Sequence, residues 1–146
     1  APRTSTTSAP TRDSAATVFT MHDVERLGIA RVTELALAAI DPHKRRPLHL
    51  SLDIDSADPV YAPGTGTTAS GGLTPRELEY LCVELGRSGR LVGMDLVEVN
   101  PDLDPPPAES ARSMHGDNPA LVAGLSPTVK LVAECVLAVL DQEAMR

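Results

Sequence analysis

The stretch Leu48–Gly72, LHLSLDIDSADPVYAPGTGTTASGG, constrains the chain more than any other. It opens as an alternating strand and ends in a D-x-D pair, Asp53 and Asp55, followed by a loop rich in Gly, Pro and Thr. Continued alternation puts His49, Ser51, Asp53 and Asp55 on one face, with Leu48, Leu50, Leu52 and Ile54 on the other. Two carboxylates on one face repel unless a cation sits between them, and hard divalent ions such as Mn accept oxygen ligands of this kind. A D-x-D at a strand end is also ordinary turn chemistry, and Asp58-Pro59 is itself a turn signal. Taken alone, the pair favours the turn reading.

The residues after the loop give the pair a context. Thr74-Pro75-Arg76-Glu77 is a helix start, with Thr74 as cap, Pro75 at the first helical position and Glu77 completing a capping box. The helix runs over 75–87 and frays at Gly86 or Gly89. A second strand, Leu91–Val99, is largely apolar, as a buried parallel strand should be. It ends in Glu98, then Asn100-Pro101. The order strand–helix–strand predicts Leu48–Asp53 and Leu91–Val97 as neighbouring parallel strands with helix 75–87 as crossover. Ligands in such sheets bind at the carboxyl ends of the strands, so Asp53, Asp55 and Glu98 become candidates for one site. The fold class is α/β, a parallel sheet with flanking helices.

The flanks read more simply. Ala1–Thr17 is a Ser/Thr/Pro/Ala tract with the composition of an extended polar arm. Arg3 and Arg12 against Asp13 leave open a remnant of a targeting peptide, and so an intracellular, mitochondrial address; the compartment stays undetermined. Val18-Phe19 is read as the end of a short strand. Thr20 and Asp23 form a capping box for a helix ending near Leu27–Gly28, and Ile29, Val32, Ala36, Ala39 and Ile40 give the stripe of a second helix that Asp41-Pro42 stops. His43–Arg46 is a basic turn, read as a solvated loop. Asp102–Gly124 is an irregular, Pro-rich connection, and Ser126-Pro127 starts a last amphipathic helix with Val129, Val132, Ala133, Val136, Leu137 and Leu140 on one face.

At 146 residues, 42% hydrophobic and 23% charged, the chain has the composition of one folded domain. The net charge of −7 excludes a basic nucleic-acid surface, and no apolar run reaches the length of a membrane span. Cys82 and Cys135 fall in predicted helices and read as buried thiols rather than a disulfide or zinc ligands.

Five segments together resemble the arginase, or ureohydrolase, family: FTMHDVERLGI at Phe19–Ile29, HLSLDIDSADP at His49–Pro59, APGTGT at Ala62–Thr67, GGLTPRE at Gly71–Glu77 and GMDLVEVNP at Gly93–Pro101. They occur in family order and with family spacing. The resemblance implies the C-terminal half of an arginase-like fold, with residues 18–146 as a truncated domain carrying an insertion around 102–124. It implies that Asp53 and Asp55 ligate a pair of Mn ions, that Glu98 binds the substrate guanidinium and that Thr67 supports it. The implied reaction is hydrolysis of L-arginine to ornithine and urea, with the two metals lowering the pKa of a water between them. A carboxylate suits a planar guanidinium because it accepts two parallel hydrogen bonds.

The departures bear on function. The family's other metal ligands, an early His and a D-x-H-x-D strand end, have no match here, and His22, His43, His49 and His115 lie outside any such pattern. His49, at the strand start, reads as a structural residue. Ser56-Ala57 replaces the small-then-large apolar pair common after the D-x-D. The expectation is therefore a chain that is non-catalytic by itself and serves as a structural subunit of a larger protein assembly. The alternative is one chain of a split or processed arginase whose other half a partner supplies. Mn is expected only if a partner completes the site. Half a sheet leaves open strand edges, so other protein subunits are the expected partners, with the arm running across one of them.

Overall fold

The computed structural model describes residues 16–106 and 124–145, without the side chain of Glu143. The arm and most of the 102–124 connection lie outside the described residues. The chain divides between Lys44 and Arg45 into two compact units.

The first unit holds helices α1 (Met21–Leu27) and α2 (Ile29–Ile40). The expected capping box starts α1. Thr20 accepts from the Asp23 amide, and the Asp23 carboxylate accepts from the Thr20 amide at 3.0 Å and its hydroxyl at 2.8 Å. Gly28 (φ 78°) closes α1 and opens α2, and Asp41 caps the end of α2. One expectation fails here, while the helix expected from the Ile29–Ile40 stripe forms as α2. Residues 16–20 form no strand, because a strand needs a neighbour to take its backbone hydrogen bonds and none of the described residues supplies one. The α2 stripe buries Val32 and Thr33, while Ala39 and Ile40 are exposed. Thr33 belongs to the buried face because its hydroxyl donates to the Ile29 carbonyl at 2.8 Å, removing the cost of a buried polar group.

The second unit is the strand–helix–strand unit with a closing helix. Strands β1 (Leu48–Asp53) and β2 (Leu91–Val97) pair in parallel, with Leu50 opposite Met94, Leu52 opposite Leu96 and Asp53 opposite Val97. Helix α3 (Pro75–Arg87) is the crossover, started by the expected Thr74–Glu77 capping box. Helix α4 (Pro127–Ala144) packs along α3. The core lies between one sheet face and these helices: Leu52, Ile54, Ala57 and Ala62 meet Leu78 and Cys82 of α3 and Leu131, Cys135, Ala138 and Val139 of α4. Cys82 and Cys135 are free, buried thiols, as expected. They are hydrogen-bonded to each other, and that bond together with burial pushes the Cys135 thiol up.

The expectation that β2 is buried on both faces is corrected. Its burial alternates over Met94–Val97, beyond an irregularity in the pairing between Leu48 and His49, and Val92 is 73% exposed. Among the described residues, the helices of this unit cover a single face. The other carries His49, Ser51 and Asp53 opposite Gly93, Asp95 and Val97.

Candidate functional site

The site is built at the carboxyl ends of β1 and β2. Strand alternation carries Asp53 to the last position of β1 and stops there. Residues Ile54–Ser56 form a single 3-10 turn, so Asp55 does not share a strand face with Asp53 as alternation predicted. Asp53 itself causes the change. Its Oδ1 accepts from the Asp55 amide at 2.9 Å, and the Ser56 hydroxyl donates to the Asp53 carbonyl at 2.6 Å. An Asp that caps its own following turn offers the backbone an alternative to the sheet ladder. Ile54, between the two acids, is fully buried and pins the turn to the core. Asp55 is half-buried, and its Oδ1 is buried with no hydrogen-bond partner.

Beyond the turn, Ala57 and Leu73 form an isolated parallel bridge, with the Asp58 amide donating to the Leu73 carbonyl at 3.0 Å and the Leu73 amide to the Ser56 carbonyl at 2.8 Å. Gly72 allows that approach. A Cβ there would lie 2.6 Å from the Ala57 carbonyl carbon and from the Asp58 nitrogen, too close for any side chain. The Asp58 carboxylate spans the base of the loop, accepting from the Val60 amide at 3.0 Å and the Gly71 amide at 2.8 Å. The Val60 and Gly71 backbone bonds, in that order, hold Asp58 below the usual carboxylate range. A depressed carboxylate stabilises the fold above its unfolded pKa, and that contribution is lost as the pH falls through the folded value. The base of loop 58–72 is therefore expected to loosen on acidification below about pH 4. Amide exchange at Gly71 checks this: it should accelerate there in the wild type and lose that pH dependence in Asp58→Asn. A Gly71 amide indifferent to pH across that range would contradict it.

The far end of the loop is tied to the strand that succeeds α3. The Asn100 amide donates to the Gly64 carbonyl at 2.8 Å, and the buried Thr65 hydroxyl donates to the Glu98 carbonyl at 2.9 Å. The Gly64 amide donates to the Thr128 hydroxyl at 2.7 Å, which in turn donates to Asp104 Oδ1 at 2.6 Å. Asp104 also caps α4, accepting from the Ser126 hydroxyl at 2.6 Å and the Thr128 amide at 3.0 Å. Gly64 lies so close to the Asp104 carboxylate that a Cβ would overlap it.

Glu98 comes directly after β2 and takes a left-handed backbone, φ 64°. A non-glycine residue there stores strain of order 1–3 kcal/mol and persists only where its surroundings hold it. Asp53 is the register partner of Val97, so Glu98 sits one residue past the level of Asp53. The structure thus brings Asp53, Asp55 and Glu98 to one end of the sheet. Thr67 lies on the exposed part of the same loop, two residues past the anchored Thr65. His49 is not brought there. It lies on the outer sheet face, 3.7 Å from Asp95. His22 is on α1, 3.9 Å from Glu25, His43 is exposed in the basic turn, and His115 lies outside the described residues.

The donor chemistry fits a hard divalent cation. A buried carboxylate oxygen with no protein partner is costly unless something positive completes it. The number of donors falls short. Among the described residues no group of three or more His, Cys, Asp or Glu side chains could hold a metal ion, and such ions take about six ligands. Sequence reasoning missed Thr65, Thr128 and Asp104. Only Asp58 had a local signal, the Asp-Pro turn.

Comparison with known proteins bears on the family and the fold. The Arginase family profile matches residues 3–116. An arginase of Schizosaccharomyces pombe is 53% identical over 90 residues, which is 62% of this chain and 28% of that protein. An arginase of Plasmodium berghei is 44% identical over 125 residues, 86% of this chain and 34% of that protein. The crystal structure of arginase from Bacillus subtilis superposes with a TM-score of 0.67 at 34% identity, covering 87% of this chain and 37% of the other. The chain thus spans about a third of the length of the relatives it matches.

Proposed function

The chain belongs to the arginase family, and from that premise we propose that it contributes one side of a Mn-dependent site for hydrolysis of L-arginine to ornithine and urea. By itself it is non-catalytic. The observation that carries this reading is the orphaned, buried Oδ1 of Asp55 beside Asp53, an arrangement that costs stability unless a cation is bound. Asp53 and Asp55 would hold the metal. Manganese bound there supplies the Lewis acidity that makes water a nucleophile near neutral pH. Glu98 accepts the substrate guanidinium through two parallel hydrogen bonds, and Thr67 supports it. The remaining ligands come from outside the described residues, in a larger assembly.

A second reading keeps the assembly and drops the chemistry: a non-catalytic structural subunit. The small number of donors among the described residues supports it. Urea release from arginine with manganese separates the two. We expect release from the protein isolated with its native assembly and none from the chain alone. Release by the chain alone would refute the divided site, and none from either would leave the structural reading standing.

A further inference from the structure

We infer that Thr65 is a positioning residue for Glu98, fixing the direction of its carboxylate and with it the affinity for a guanidinium; this rests on Glu98 as the guanidinium acceptor of the proposed site. Glu98 holds a left-handed backbone that glutamate disfavours, so something must impose it. Within the described residues the tie to its carbonyl is the Thr65 hydroxyl at 2.9 Å. Thr65 is buried, on the anchored side of a loop whose next residues are exposed.

Its own position is fixed through the residue before it. Gly64, the residue before it, accepts from the Asn100 amide and donates to Thr128. Thr128 is fully buried and locked by the Asp104 carboxylate, which also holds the start of α4. The path from the helix end to Glu98 therefore runs Asp104, Thr128, Gly64, Thr65. It consists of hydrogen bonds to side chains or backbone that are buried or half-buried, where each bond is strongest and each loss costs most. The segment Glu98–Asn100 is clamped twice by one loop, at the Glu98 carbonyl and at the Asn100 amide, with the Glu98 side chain left exposed between the clamps.

The test compares Thr65→Val, which keeps the shape and removes the hydroxyl, with Thr65→Ser, which keeps the hydroxyl. In the full chain, backbone NMR shifts of Glu98–Asn100 should move in Thr65→Val and stay near wild type in Thr65→Ser, with the Gly71 amide unmoved in both. In the assembled protein, KM for arginine should rise roughly tenfold in Thr65→Val, with a smaller change in kcat, and recover in Thr65→Ser. Should Thr65→Val fail to fold, Thr65→Ala takes its place. Glu98 shifts that ignore loss of the hydroxyl, or a serine variant as impaired as the valine one, would overturn the inference. The NMR readout needs no catalysis. Wild-type protein that releases no urea, with Glu98 still answering to Thr65, would sink the arginine-hydrolysis reading and leave the coupling intact.

Discussion

Glu98→Gln will lower kcat/KM for arginine hydrolysis in the assembled protein by roughly 30-fold to several thousand-fold, the equivalent of about 2–5 kcal/mol for one partner removed from a hydrogen-bonded charge pair. The amide of glutamine presents one acceptor where the carboxylate presents two, and its NH2 group faces the guanidinium donors. The loss is confined to the side chain. What the structure holds at this position is the backbone, through the Thr65 hydroxyl on the Glu98 carbonyl and the Asn100 amide on Gly64. Those bonds are the same with glutamine. Amide exchange at Asn100 should therefore match wild type while steady-state kinetics collapse. A variant that retains most of its kcat/KM would remove Glu98 from the substrate site.

Ile54→Ala will cost about 2–5 kcal/mol of folding stability, read as a lower urea midpoint at unchanged slope. Among the described residues, Ile54 is the largest of the fully buried side chains, and it packs in one cluster with Leu52, Ala57 and Leu78. Truncation removes its transfer energy and leaves a cavity that the bridge at Ala57–Leu73 keeps from closing. Net stabilities of domains this size are about 5–15 kcal/mol, so the variant is left close to the threshold. Ile54→Val, which removes one methyl group, should cost about 0.5–1.5 kcal/mol. The position of Ile54 carries the effect to the site. It sits between Asp53 and Asp55 in a one-turn segment and is the anchor that turn has in the core. Loosening it spreads the two carboxylates and should weaken manganese retention even where the protein stays folded. A normal midpoint would contradict the packing account.

The elements of the second unit were legible because several levels of sequence signal agreed. The alternation of LHLSLD gave β1, the Thr74–Glu77 box and Pro75 gave the start of α3, and the strand–helix–strand order gave the parallel pairing; β2 alone was drawn to Val99 and ends at Val97. The errors came where tertiary context decides. Asp55 left the strand face because Asp53 captured its amide, a competition that alternation does not register. Leucine and valine in β2 gave no sign that one face lacks a helical cover among the described residues of its unit. The tie from Asp104 through Thr128 to Gly64 joins residues tens of positions apart, and nothing in the local sequence of any of them names the others. Thr65 was invisible for the same reason: a threonine between two glycines reads as loop, and its role depends on a carbonyl 33 residues away.

The central claim is that Asp53 and Asp55 form one side of a divalent-metal site. A Mn titration of the chain, monitored by paramagnetic broadening of its NMR signals, tests it directly. Weak binding should broaden Asp53–Ser56 before the exposed acids elsewhere, such as Glu25, Asp95 and Asp141, and Asp55→Asn should abolish that order. Broadening spread evenly over the acidic surface, with Asp53–Ser56 no more sensitive than the rest, would contradict the account.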